Sequence, residues 1–440
     1  MVDVPSPSSA ADRGAGRLSA NVPLSRILVD LPLSLIFFSS LAVSFRYLSF
    51  YFGYQRFEFL PDPMRMPVTA FLILVTAVMM PGQKTVHGFA MSLLVYGLWL
   101  PVLVWYTFGA GAPIQVVITA MVIVVLRVFS FIVIPRPIFS PVSAGWIVSV
   151  TIALALVLAF WALAANGISA VNFRIFQVYE FRREAAEGLP RIFQYLWPQV
   201  ANAMIPVAVA LCLAQGRKLG FVALCMMSVV LFAVVHHKGV LFTPFFAAIV
   251  YYLFSRRDDL LLFKLALAGA AAIGAVEAVT LELMQSNEIG LFNAMISRRV
   301  FLVPAQLDGL YLEYFSQNAK FAWSTSRITF GLLENPYTTV APFIIGETYF
   351  GSAQTSSNTG MIGAGFANAG LLGVFIYAVI IGLALCLLES HGRAVGHAIV
   401  VTASILIIHN ALTATDTVTL MLTGGFGSLL LLFSILKRQG

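Results

Sequence analysis

The chain has 440 residues, 60% of them hydrophobic and 10% charged, with a formal net charge of +7. Soluble proteins average about 45–50% apolar and about 25% charged residues, so the composition excludes a soluble enzyme, a disordered chain and a coiled coil. The positive balance is what Lys and Arg at cytoplasmic helix ends produce, and it implies no nucleic-acid partner.

Residues 1–22 are rich in Ser, Ala and Pro and have no apolar core. They read as a short disordered cytoplasmic tail, with no cleavable signal peptide. The remainder, 23–440, reads as a single transmembrane domain. A helix needs about 20 apolar residues to cross a bilayer, and the apolar runs predict about twelve spans. These lie near 27–50, 67–81, 88–108, 114–134, 143–165, 199–215, 219–236, 239–254, 260–283, 360–388, 395–412 and 418–436. With Arg13, Arg17 and Arg26 in the cytoplasm, alternation places Lys84, Arg136, Arg217, Lys218, Arg256, Arg257, Arg393, Lys437 and Arg438 inside as well. The short outer loops near 109–113 and 412–417 carry no Lys or Arg. This pattern predicts an even number of spans with both ends inside. Cys212, Cys225 and Cys386 all fall in apolar runs without ligand spacing, so neither a disulfide framework nor a metal site is expected.

Two outer segments are too long to be turns, about 166–198 and about 284–359. Both mix aromatic and charged residues and could lie along the membrane surface, apolar face down, either capping the helix bundle or walling a site at the outer leaflet. The second contains SRRVFLVPAQLDGLYLEYF, which reads as an amphipathic helix broken by Pro304.

The chemistry-bearing residues sit on this outer side. Arg298 and Arg299 stand together at the start of the second segment, with no acid close by in sequence, and Lys320 and Arg327 follow. Arg174, Arg182, Arg183 and Arg191 lie in the first. Guanidinium groups are planar bidentate donors that stay charged, which suits phosphate or pyrophosphate. The bland alternative pairs them with Glu180, Glu184, Glu187, Asp308 and Glu313, or with lipid headgroups. His236, His237 and Lys238 form a tight polar turn between two spans; a neutral imidazole there suits a base, and the lysine a phosphate contact. Arg46 and Arg127 fall inside spans and need a partner or a helix end. Glu277 and Glu282 are candidate partners for the arginines or a carboxylate base, Asp416 in the last outer turn is a weaker base candidate, and a mid-membrane acid beside Arg127 would favour transport. Tyr311, Tyr314, Tyr337 and Tyr349 suit sugar stacking or an interfacial belt. Asn358 and Asn368 add polar groups where SSNTGMIGAGFANAGLLGVFIY opens the tenth span; Gly365, Ala369 and Gly373 there recur every four residues, as in a close-packing helix face.

The basic turn HHKG, the run RRVFLVP, its continuation LYLEYFSQN and the closing NTGMIGAGFANAGLLG come in an order that resembles the bacterial O-antigen and oligosaccharide repeat-unit polymerases, the Wzy family. The resemblance covers about 200–390 in motif order and the whole chain in topology. It implies a GT-C-like membrane glycosyltransferase of polysaccharide biosynthesis in the bacterial inner membrane. Its substrates would be oligosaccharides linked to undecaprenyl pyrophosphate, with membrane lipids around it and a chain-length regulator as a partner. It further implies Lys238, Arg298, Arg299 and Arg327 for pyrophosphate, Tyr311, Tyr314 and Asn358 for the glycan, and His236, His237 or Glu347 as general base, with no metal and no cofactor. Two alternatives stand beside it: an O-antigen ligase, whose relatives carry a His in the large outer loop that this chain lacks between 238 and 390, and a polysaccharide flippase or transporter, which would show related halves and a charged central cavity.

Overall fold

The computed structural model describes residues 24–81, 84–167, 171–173, 188–257 and 259–437. Among them nine helices are long and apolar enough to cross a membrane, and three shorter apolar helices accompany them. There is no strand among the described residues beyond an isolated bridge between Val142 and Leu436. The chain is an all-helical polytopic membrane protein. Lipid offers no partner for backbone polar groups, and a helix satisfies its own.

In chain order the helices are α1 Leu24–Phe52, α2 Met66–Met79, α3 Val86–Phe108, α4 Pro113–Phe129 and α5 Ala144–Asn166. Next come α6 Arg191–Ala214, α7 Lys218–Val235, α8 Lys238–Ser255 and α9 Leu261–Leu283. A π-helix over Asn293–Leu302 runs into α10, Val303–Gln317. Then follow α11 Ala341–Phe350, α12 Met361–Val395, α13 His397–Thr413, α14 Thr417–Leu422 and α15 Phe426–Ile435.

Helix α3 is apolar all round and buried up to Trp105, as a helix without a polar face must be. It forms the centre, with α1, α4, α12 and α13 against it. Two faces follow from the connections. On one, the C-terminal end meets the α4–α5 link: Val142 N–H donates to Ile435 O at 2.7 Å and Lys437 N–H to Val142 O at 2.9 Å. The start of α3 meets the end of α12 on the same face, through Val86 N–H and Glu389 Oε2 at 2.8 Å. This is the terminal face. On the other, the α1–α2 link meets the end of α3, with Leu60 N–H on Phe108 O at 2.7 Å. This loop face also holds the π-helix, α10 and α11.

Three prolines show how the apolar helices tolerate them. Pro101, Pro206 and Pro304 each stand at the start of an α-helical stretch that follows a π-helical one, at Val95–Trp99, Val200–Met204 and Asn293–Leu302. Proline has no N–H and its ring clashes with the carbonyl four residues back. Widening the preceding turn removes that demand. Pro304 therefore does not break its helix, as the sequence suggested. Nor is α10 a helix with one free apolar face. It is buried from Pro304 to Asp308, again from Leu310 to Leu312 and at Phe315, and it packs most extensively on α12.

Other boundaries also move. Helix α4 stops at Phe129 rather than near 134, and there Ser130 Oγ donates to Arg127 O at 2.6 Å and accepts from Arg127 Nη1 at 2.9 Å. Helix α6 begins at Arg191, so Tyr195 and Trp197 belong to it rather than to a loop ending at 198. Helix α12 is broken at Ala369 and at Gly370, whose φ is 61°. A Cβ on Gly373 would lie 2.0 Å from Gly365 O, so these glycines let the two halves of α12 meet each other rather than face a partner helix. The last span is interrupted between α14 and α15 by Gly425 at φ 104°. Gln199 and Asn202 of α6 donate to Thr423 O at 2.8 Å and Gly424 O at 3.2 Å, satisfying carbonyls that the break frees. The tail 1–22, Arg174, Arg182, Arg183, Glu180, Glu184, Glu187 and Arg438 lie outside the described residues.

Candidate functional site

The loop face carries two groups of polar side chains. The first surrounds Arg298. The π-helix places it against a short 3-10 turn, Gly53–Gln55, that follows α1. Its Nη1 donates to Gln55 Oε1 at 2.6 Å, and its guanidinium lies 3.9 Å from the centre of the Phe52 ring. Gln306 of α10 holds the same turn through Gln55 O at 2.5 Å. Arg298 Nε is buried without a partner, and Arg298 forms no ion pair with any described carboxylate. Burial, and then Arg299 beside it, pulls the guanidinium below its usual value. Next to it, Arg56 pairs with Glu313 at 3.5 Å and lies 4.6 Å over the Tyr349 ring. Glu313 therefore neutralises Arg56, not Arg298. Arg299 follows roughly a quarter-turn round the helix and is exposed, so the two arginines do not share one environment.

The second group lies where α6, the turn before α8 and the segment after α10 meet. Arg327 lies 4.4 Å over the Tyr195 ring, and His237 packs 5.1 Å from the Trp197 ring. His236 is buried, at φ 55°, capping α7 through its N–H on Phe232 O at 2.8 Å. Lys238 opens α8, which packs on α6 and α13, so the turn stands over the loop-face end of those helices. Close to Arg327 in sequence, Trp323 Nε1 donates to Tyr377 Oη at 2.9 Å, and Tyr377 Oη donates to Asp416 Oδ2 at 2.6 Å. Asn368, just before the break in α12, accepts from Trp323 N–H at 3.0 Å and donates to Tyr377 Oη at 3.2 Å. Lys320 lies 4.8 Å over the Phe366 ring, and burial lowers its pKa. Asp416, a weak base candidate from sequence, is committed to Tyr377 and to capping α14 at Thr419 N–H.

Between these groups lies Asp308. It is buried on α10, accepting from Thr359 Oγ1 and from Gly363 N–H at 3.0 Å, with Oδ2 unpartnered. Burial pushes its carboxyl up to about 7 against those two hydrogen bonds. Tyr311 is buried and donates to Ser357 O at 2.9 Å, so it ties α10 to the segment before α12. Tyr314 packs edge-on against Phe315 at 4.9 Å. Asn358 is exposed and accepts from Ser356 Oγ at 3.2 Å. Glu347 is exposed on α11, the helix that carries Tyr349 beside Arg56.

The chain matches no family model, no curated protein and no solved structure.

Among the charges inside the spans, Arg127 lies 4.6 Å over the Phe131 ring and forms no ion pair among the described residues. Glu277 accepts from Phe292 N–H at 3.0 Å and Asn293 N–H at 2.6 Å, so it caps the π-helix that presents Arg298. No group of three or more His, Cys, Asp or Glu able to hold a metal occurs among the described residues. Sequence reasoning missed Gln55, Gln306, Trp323 and Tyr377. Gln306 and Tyr377 had a signal of sorts, polar atoms inside otherwise apolar stretches; Gln55 and Trp323 had none.

Proposed function

We propose that the chain is a glycosyltransferase that polymerises lipid-linked oligosaccharide repeat units at its loop face. The observation that carries the reading is Arg298, a half-buried cation held by Gln55 and the Phe52 ring with no ion-pair partner among the described residues. A cation taken out of water without a counter-charge favours binding an anion, and a lipid pyrophosphate brings one to the membrane edge. The order of the motifs in the sequence supplies the substrate class.

In the proposed reaction an acceptor hydroxyl attacks the anomeric carbon of the donor glycan. The bond from that carbon to the pyrophosphate oxygen breaks, and undecaprenyl pyrophosphate leaves with the electron pair. Negative charge grows on the leaving group, so a preplaced guanidinium stabilises the transition state more than the ground state. Arg298 takes this role, with Arg299, Arg327 and Lys238 as further cations on the same face. The acceptor proton goes to a base: His236, His237 and Glu347 are the candidates, and the part-exposed His237 is more accessible than the buried His236. The inner membrane, with both ends cytoplasmic, is the location that goes with this substrate. The transport reading has less support, because Arg127 has no acid beside it among the described residues.

The test is the surface glycan profile of a deletion strain complemented with wild type or Arg298→Ala at matched protein levels. Loss of long polymer with single-repeat glycan retained supports the reading. Loss of all repeat-bearing glycan points to a ligase or a flippase. An unchanged profile overturns the role of Arg298.

A further inference from the structure

Helices α1 and α9 run side by side in the same direction, in the most extensive pairing among the described helices. Near their loop-face ends they form an open cleft of about 330 Å³ that includes Arg46, Phe50, Tyr51, Glu282 and Gln285. Its wall is fixed, since Tyr47 Oη donates to Glu288 O at 2.8 Å and Tyr51 Oη to Ser286 O at 3.2 Å. Arg46 Nη2 and Glu282 Oε2 face each other across 3.9 Å, with side-chain exposures of 57% and 35%. That separation is too long for a hydrogen bond. Each charge therefore has donors or acceptors to spare.

The surroundings say what reaches them. On α1 the exposed residues at three back and four on from Arg46 are Val43 and Phe50. On α9 the exposed Val279 and Leu283 flank Glu282. Both charges thus lie on the lipid-facing stripes of their helices. Glu282 is one residue from the end of α9 and Arg46 is within two turns of the end of α1, which is headgroup depth for helices of this length.

We propose that this cleft binds the headgroup of a zwitterionic phospholipid with a primary ammonium, such as phosphatidylethanolamine, in the leaflet bordering the loop face. The phosphodiester takes Arg46 and the ammonium takes Glu282, while the acyl chains lie along Val43, Phe50, Val279 and Leu283. An anionic lipid satisfies the arginine and is repelled by the glutamate. A choline headgroup has no N–H to donate to the carboxylate. A loose, half-exposed ion pair is the arrangement that a headgroup with both charges completes. The inference does not rest on the proposed glycosyltransferase activity.

The test is native mass spectrometry of the full chain, delipidated in detergent and titrated with phosphatidylethanolamine, phosphatidylcholine or phosphatidylglycerol of matched acyl chains. Wild type is expected to retain one phosphatidylethanolamine roughly fivefold better than either other lipid, the factor that about 1 kcal/mol gives. Glu282→Gln should lose the preference over phosphatidylglycerol, and Arg46→Gln should lose retention of both. Unfolding temperatures of the two variants in detergent alone check that each is folded, and both substitutions are at exposed positions. Equal retention of the three lipids by wild type overturns the proposal, as does an unchanged preference in Glu282→Gln.

Discussion

Helices α1 and α9 carry an ion pair at each end, and the two pairs are opposites. At the terminal face Lys264 Nζ meets Asp30 Oδ1 at 2.7 Å, with 3% and 4% of the side chains exposed. At the loop face Arg46 and Glu282 stand 3.9 Å apart and partly exposed. The first pair lies inside the helix contact, where an unpaired charge is costly, so short geometry is the only stable solution. The second lies on the lipid-facing side, where headgroups and water solvate both charges and nothing forces them together. The same helix pairing is therefore locked at one end and open to a ligand at the other.

The largest expected effect comes from breaking the locked end. Lys264→Met leaves Asp30 buried without its cation, with Oδ2 already unpartnered. It should destabilise the protein by about 3–5 kcal/mol, read as a fall in the thermal or denaturant midpoint in detergent, while Asp30→Leu with Lys264→Met should recover most of that loss. A double variant as unstable as the single would show that the pair does more than neutralise a buried charge.

At the loop face, Arg298→Ala should lower the rate of polymer formation by about 10²–10³-fold, the usual cost of removing one group that stabilises developing charge. Gln55→Leu should produce a smaller loss in the same assay, because it frees the guanidinium that Gln55 Oε1 holds at 2.6 Å without removing it. Equal losses for the two would make Gln55 a contact to substrate rather than a positioning residue.

Asp308 gives an effect of intermediate size with a defined pH window. Its carboxyl is raised from 3.8 to about 7 in the folded chain. Folding thus favours the protonated form, and this contribution is complete below about pH 4 and is lost as pH rises through about 7. Relative to Asp308→Asn, which stays neutral, wild type should lose on the order of 4 kcal/mol across that window, about 2–3 kcal/mol of it between pH 5 and 8. Melting curves of both proteins between pH 5 and 8, run at about one-unit steps, check the sign. Parallel curves would mean that the carboxyl is already ionised in the fold.

The smallest effect belongs to the open end. Arg46→Gln should change stability in lipid-free detergent by less than about 1 kcal/mol, as expected for an exposed pair. A larger loss would move Arg46 into the same class as Lys264.

The apolar runs alone determined the helical membrane class and the approximate place of the nine membrane-length helices and three shorter apolar helices among the described residues. Continuous apolar sequence leaves the backbone no other way to satisfy itself in lipid. The same runs misjudged the breaks. Pro304 reads as an interruption, yet a π-helical stretch absorbs it, while α12 is broken at Ala369–Gly370, where the regular small-residue spacing suggested an intact packing face. Whether a proline or a glycine breaks a helix depends on what can satisfy the freed backbone nearby, as Gln199 and Asn202 do for Thr423 and Gly424. Sequence also placed Arg298 on the loop side and without an acid close by in the chain. That Gln55 and Phe52 hold it, and that Glu313 goes to Arg56 instead, only the tertiary structure decided. Hydrophobicity is a local property of the chain and sets where helices form. A charge's partner is set by which helix ends meet in space, and residues 243 apart in sequence met here.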